Sequence, residues 1–167
     1  GRFFKKVIVH EIAQVTSWNV KEDVKHLILN AETRLNAYLK FHLGLNSSLM
    51  MPGNYARCLF DKNNEVHILS LLPQERREVL REILVRFRFL RKIYRSSWPM
   101  KEFANEIPRY KEEAVAMGKL LIKHFEYVQW PNYLHKIIEH PQEIIQQADG
   151  PQTLGALSGE GLEGGNK

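Results

Sequence analysis

Apolar residues recur at three- and four-residue intervals along most of the chain, which is the signature of helices with one buried face. Phe3, Phe4, Val7, Ile8, Ile12 and Val15 predict a helix over 3–16, although Val7-Ile8-Val9 alone also fits a short buried strand. Ser17 to Asp23 interrupts the pattern with capping residues. A long amphipathic run follows, with Val24, Leu27, Ile28, Ala31, Leu35, Tyr38, Leu39 and Leu43 on its apolar stripe and Gly44 as its stop. A turn-rich segment leads to a short helix from Tyr55 to about Lys62, and Val66–Leu72 forms another short apolar stretch before Pro73. The most regular helix runs from Gln74 to about Tyr94 and buries Val79, Leu80, Ile83, Leu84, Phe87, Leu90 and Tyr94. Pro99 and Pro108 mark a connection, and the helical period resumes over 111–128. After Trp130-Pro131 comes a helix carrying Leu134 and His135, which Pro141 ends or kinks.

The tail from Gly150 holds Gly150, Gly155, Gly159, Gly161, Gly164 and Gly165, six of the ten glycines, and reads as a loop. No alternating strand pattern and no internal repeat stand out, so the fold class is mainly α. Composition narrows the setting. At 167 residues and 44% apolar content the chain can build a core. No run of about 18 apolar residues could span a bilayer, so no membrane partner is expected. A single cysteine, Cys58, rules out an intrachain disulfide framework and suits a reducing compartment. The net charge of +5 leans towards an anionic partner. The chain starts without Met and stops after Asn166-Lys167, which suggests a fragment.

Three features carry candidate chemistry. The helix at 74–94 and its continuation hold Arg76, Arg77, Arg81, Arg86, Arg88, Arg91, Lys92 and Arg95. Arg81, Arg88, Lys92 and Arg95 fall close together on a helical wheel, as a phosphate-contacting stripe requires; a solvated face complementing the helix dipole is the plainer account of them. His135 and His140 have the His-x3–5-His spacing of structural zinc sites. A regular helix turns the second imidazole about 140° from the first, so chelation needs the helix to loosen near Pro141. Solvated or hydrogen-bonded histidines are the plain alternative. Glu160 and Glu163 sit among glycines, where a carboxylate could hold Mg2+ against phosphate or lie solvated in a linker.

Taken in order, several blocks resemble the catalytic core of the V(D)J recombination-activating protein 1 and Transib transposase family. They are Gly53-Asn54-Tyr55-Ala56-Arg57, the helix start Leu72-Pro73-Gln74-Glu75-Arg76-Arg77, Tyr94-Arg95-Ser96-Ser97-Trp98-Pro99, Asn132-Tyr133-Leu134-His135-Lys136 with His140, and the end from Gly155-Ala156 through Glu160 and Glu163 to Lys167. Leu157, Leu162, Trp98 and Phe103 depart from the vertebrate pattern and suit a divergent or transposon-derived relative.

The resemblance implies a helical zinc-binding insertion, residues 1–149, of an RNase H-like (DDE) transposase core, incomplete at both ends. A glycine-rich loop, 150–167, would lead to the helix of the catalytic glutamate. It also implies that Glu163 is that glutamate and binds Mg2+ or Mn2+, with both catalytic aspartates outside the chain. His135 and His140 would be half of a zinc site whose cysteines lie outside. The implied activity is DNA nicking and strand joining by two-metal transesterification in the nucleus, on terminal repeats or signal sequences. A homodimer and an accessory recombination-activating subunit are implied partners, and the isolated fragment is expected to be inactive. The reading from another class is a non-catalytic helical DNA-binding or scaffolding module built on the Arg76–Arg95 basic face.

Overall fold

A computed structural model describes residues 2–43, 57–94 and 106–139. Among them the secondary structure is helical throughout: α1 (Arg2–Ala13), α2 (Glu22–Leu43), α3 (residues 57–60), a 3-10 turn at Lys62–Asn64, α4 (Glu65–Leu69), α5 (Gln74–Tyr94), α6 (Ile107–His124) and α7 (Asn132–Glu139). No strand occurs among the described residues, so Val7-Ile8-Val9 belongs to α1. The chain divides into two units. One comprises Gly1–Arg81 with Tyr127–Gln129, the other Glu82–Glu126 with Trp130–Lys167. No helix of the described residues is long and apolar enough to cross a membrane.

In the first unit α1 buries a broad face and leaves Arg2 and Lys6 exposed. Phe3, Phe4, Val7, Ile8, Val9 and Ile12 are all buried, and Phe4 meets Phe3 and Phe60 edge-on at ring separations of 4.9 and 5.6 Å. Each such side chain contributes about 1.5–3 kcal/mol relative to exposure. Helix α2 packs against α1 through Ala31, Leu35 and Leu39. Leu27, expected on the buried stripe, is 39% exposed. Lys5 Nζ pairs with Glu32 at 3.1 Å, and the Tyr38 hydroxyl meets Ser70 Oγ at 3.3 Å.

Two polar residues towards the end of α1 go inside with its apolar ones. Glu11 is 5% exposed, and both of its oxygens are occupied: Arg76 Nε donates at 2.6 Å and the Tyr127 hydroxyl at 2.9 Å. A buried carboxylate with one partner removed costs roughly 3–5 kcal/mol, so this pairing is a condition of the fold. Burial first, and then the Glu11 carboxylate, push the Tyr127 hydroxyl well above the usual phenol range, keeping it a donor.

His10 is the second buried polar group, at 1% exposure. Its Nδ1–H donates to the Val15 carbonyl at 3.0 Å, and its ring stacks on Trp18 with 5.1 Å between centroids. Helix α1 ends three residues before the periodicity suggests. Gln14 adopts φ 56°, its N–H reaches the Glu11 carbonyl at 3.3 Å, and the Val15 N–H reaches the His10 carbonyl at 3.1 Å. That is a Schellman cap with glutamine in the left-handed position usually given to glycine. The His10 bond to Val15 closes the same turn.

Smaller caps order the rest of this unit. Asp61 accepts from the Asn63 N–H at 2.9 Å and starts the 3-10 turn. Arg77 donates to the Leu72 and Ser70 carbonyls at 3.0 and 3.2 Å, satisfying acceptors where the chain turns from α4 into α5.

In the second unit Ile83, Leu84, Phe87, Leu90, Ile93 and Tyr94 of α5 are buried, as are Tyr110, Ala114, Met117 and Leu121 of α6. Arg86 pairs with Glu113 at 3.3 Å, and the Arg109 guanidinium lies 4.2 Å above the Phe89 ring. Helix α6 begins earlier than the sequence pattern indicates. Pro108, expected in the connection, lies in its first turn, where no N–H is needed, and the helix closes at His124, with the Phe125 N–H on the Leu121 carbonyl.

Burial holds the His10 imidazole below its ordinary value; the Val15 bond and Glu11 oppose this and Lys6 assists it. The folded state therefore favours neutral His10, while the unfolded chain takes up a proton as pH falls through about 6.5. Stability from this group is full above that pH and lost below it. A chemical-denaturation midpoint followed from pH 7.5 to 5 should fall, and fall less in His10→Phe. An unchanged slope in that variant would locate the proton uptake elsewhere.

Candidate functional site

Helix α7 carries the described part of the histidine pair. Its eight residues bury Tyr133, Leu134, Ile137 and Ile138 against the second unit's interior, leaving Asn132 and Lys136 exposed and His135 half-buried at the margin. Pro131 starts the helix, and its carbonyl accepts from the N–H groups of Leu134 and His135 at 3.0 and 3.3 Å. The imidazole lies beside the Trp130 indole, with 5.2 Å between centroids and 46° between planes.

Helices α6 and α7 pack together unusually closely at one point. A Cβ built on Gly118 of α6 would lie 2.7 Å from Ile138 Cγ2 and 3.6 Å from Trp130 Cη2. The glycine is thus required for space, not for backbone freedom, because no side chain fits between α6 and the two residues flanking His135. Neither Gly118 nor Trp130 is singled out by the sequence pattern as part of a site. A glycine inside a strongly helical period was the available signal.

His140 and Glu163 lie outside the described residues, as do Glu160 and Arg95. Among the described residues no three His, Cys, Asp or Glu side chains gather as a metal-binding group. His135 by itself suits a zinc ligand: a half-buried imidazole at the edge of a helix, beside an aromatic ring. Cys58 stands in the other unit, with burial first and then Asp61 raising its thiol above the ordinary range, which does not favour a thiolate.

Part of the basic helix is engaged with the protein itself. Arg76 points to Glu11, Arg77 to two carbonyls and Arg86 to Glu113, so these three arginines are engaged with the protein itself. Arg81 remains about half exposed but is held by Glu78 one turn back. Arg88 is half-buried and Lys92 exposed, one turn apart on α5.

The described elements define a helical domain with an accessible histidine on a short, tightly packed helix. The chain matches the family model described as the Recombination-activation protein 1 (RAG1) ZnH2 domain over residues 1–150, and it belongs to that family. It is 34% identical over 140 residues to V(D)J recombination-activating protein 1 of Sus scrofa, an alignment covering 81% of this chain and 13% of that protein. The corresponding protein of Oncorhynchus mykiss is 34% identical over 137 residues, covering 80% and 12%. A sequence from Ginglymostoma cirratum is 37% identical over 76 residues, covering 44% of this chain and 69% of that sequence. The chain thus spans about an eighth of the length of the Sus scrofa and Oncorhynchus mykiss relatives.

Gly118→Ala should test the close approach. Ile138 is β-branched and cannot swing its Cγ2 aside freely, so the added methyl forces α6 and α7 apart, at a cost of about 1–3 kcal/mol. Thermal unfolding should show the loss. An unchanged or raised midpoint would show that the helices accommodate a methyl there.

Proposed function

We propose that the chain is the helical zinc-binding part of a DDE-type DNA recombinase. Residues 1–149 form an insertion in an RNase H-like core, and residues 150–167 lead to the helix of the catalytic glutamate. The observation that carries this reading is the family match over residues 1–150, whose description names a ZnH2 domain. The half-exposed imidazole of His135 beside Trp130 supports it as the kind of donor such a site needs.

In this reading His135 and His140 supply two zinc ligands, and two cysteines from elsewhere in the protein supply the others. Zinc there would be structural, tying the helical insertion to the core and so steadying the loop that carries Glu163. Glu163 supplies one of three carboxylates for two Mg2+ or Mn2+ ions. Bound metals of that kind activate the attacking oxygen and stabilise the leaving one in an in-line phosphodiester displacement. The contribution of this chain is to hold one carboxylate at the metals and to present Arg88, Lys92 and Arg95, with Arg81, to the DNA backbone. The whole protein would act in the nucleus on double-stranded DNA as a homodimer, with an accessory recombination-activating subunit. One carboxylate of three leaves residues 1–167 inactive in isolation.

In the full-length protein, Glu163→Gln should leave DNA binding largely intact and abolish nicking of a terminal-repeat substrate. Nicking at the parental rate would remove Glu163 from the metal site. Replacing Arg88, Lys92 and Arg95 by alanine should lower DNA affinity and reduce the slope of log K against log salt by about 0.9 for each phosphate no longer neutralised. Weaker binding with the same slope would show that these residues do not touch phosphate.

A further inference from the structure

A histidine on a helix margin has two free side-chain torsions, and the second is broad. On an exposed surface the imidazole would sample orientations that aim its nitrogens away from a common metal position. His135 is not in that situation, because the Trp130 indole lies beside its ring, tilted by 46° with 5.2 Å between centroids. Trp130 is itself held. Its Cη2 stands 3.6 Å from where a Cβ at Gly118 would be, which places the six-membered edge of the indole on the bare backbone of α6. The residue after it, Pro131, has restricted backbone torsion and starts α7 through its carbonyl. Gly118, Trp130 and His135 therefore form a short mechanical series, from a helix backbone to an indole to an imidazole.

We infer that Trp130 is the positioning residue of His135: seated on the Gly118 backbone, its indole is the wall that holds the imidazole in the orientation a metal ion needs. This rests on the reading of His135 as a zinc ligand. The outer partners of metal-bound imidazoles fix ring orientation and contribute strongly to affinity. Here an aromatic face supplies that constraint. An aromatic pair also contributes packing on its own account, about 0.5–1.5 kcal/mol, so stability alone cannot identify a positioning role.

The test uses the full-length protein, which supplies the remaining ligands, with Zn2+ alone as probe and Zn2+ retention against a competing chelator as readout. The parental protein should hold Zn2+ at this site, and His135→Ala should lose it. Trp130→Met keeps an adaptable apolar side chain but removes the aromatic ring; by circular dichroism it should stay helical, and it should hold Zn2+ about tenfold more weakly. Trp130→Phe should recover most of the affinity. Parental affinity in Trp130→Met, or no recovery in a folded Trp130→Phe, would overturn the positioning role and leave His135 a ligand. Undiminished Zn2+ retention by His135→Ala would instead overturn the zinc reading.

Discussion

The first unit depends on a single buried carboxylate. Helix α1 keeps Arg2 and Lys6 in water but buries every residue from Val7 to Ile12, so Glu11 enters the interior with Val7 and Ile8. A charge in that position is tolerable only with both oxygens paired. Arg76, 65 residues away at the start of α5, takes one oxygen, and Tyr127, 116 residues away, takes the other. The consequence is specificity of chain path: the segment at Tyr127 is brought back to the N-terminal helix by a hydrogen bond whose loss would leave a buried acceptor bare. His10 adds a milder constraint of the same kind, neutral and stacked on Trp18 while closing the turn that ends α1.

The second unit depends on closeness instead of charge. Gly118 removes the one side chain that would keep Ile138 and Trp130 off the backbone of α6. Helix α7 has only eight residues, too few to be stable alone in water, so its position comes from this packing. His135 inherits its place from that packing. A residue assigned to metal chemistry is thus located by a glycine seventeen positions earlier, which itself carries no chemistry.

These constraints also revise the meaning of the basic helix. Eight cations over 76–95 suggest one broad electrostatic surface, yet Arg76, Arg77 and Arg86 each satisfy a protein acceptor. Lys92 of the same helix is exposed. Charge counted along a sequence overstates the surface field wherever an arginine has an internal partner.

Periodicity by itself determined the mainly helical character and the extent of α5, and block order pointed to the family, because both depend on near neighbours along the chain. It located Leu35, Leu39, Leu80 and Phe87 correctly in the interior. It could not show that Leu27 stays partly exposed, that Pro108 begins a helix, or that α1 stops at a left-handed Gln14. Those outcomes depend on which neighbours cover each face and on competition between local caps and continued helix. The pairing of Glu11 with Arg76 and Tyr127, and the seating of Trp130 on Gly118, were decided only by tertiary structure. Partners separated by 65 and 116 residues leave no periodic trace, and a glycine needed for space looks in sequence like any other interruption of a helix.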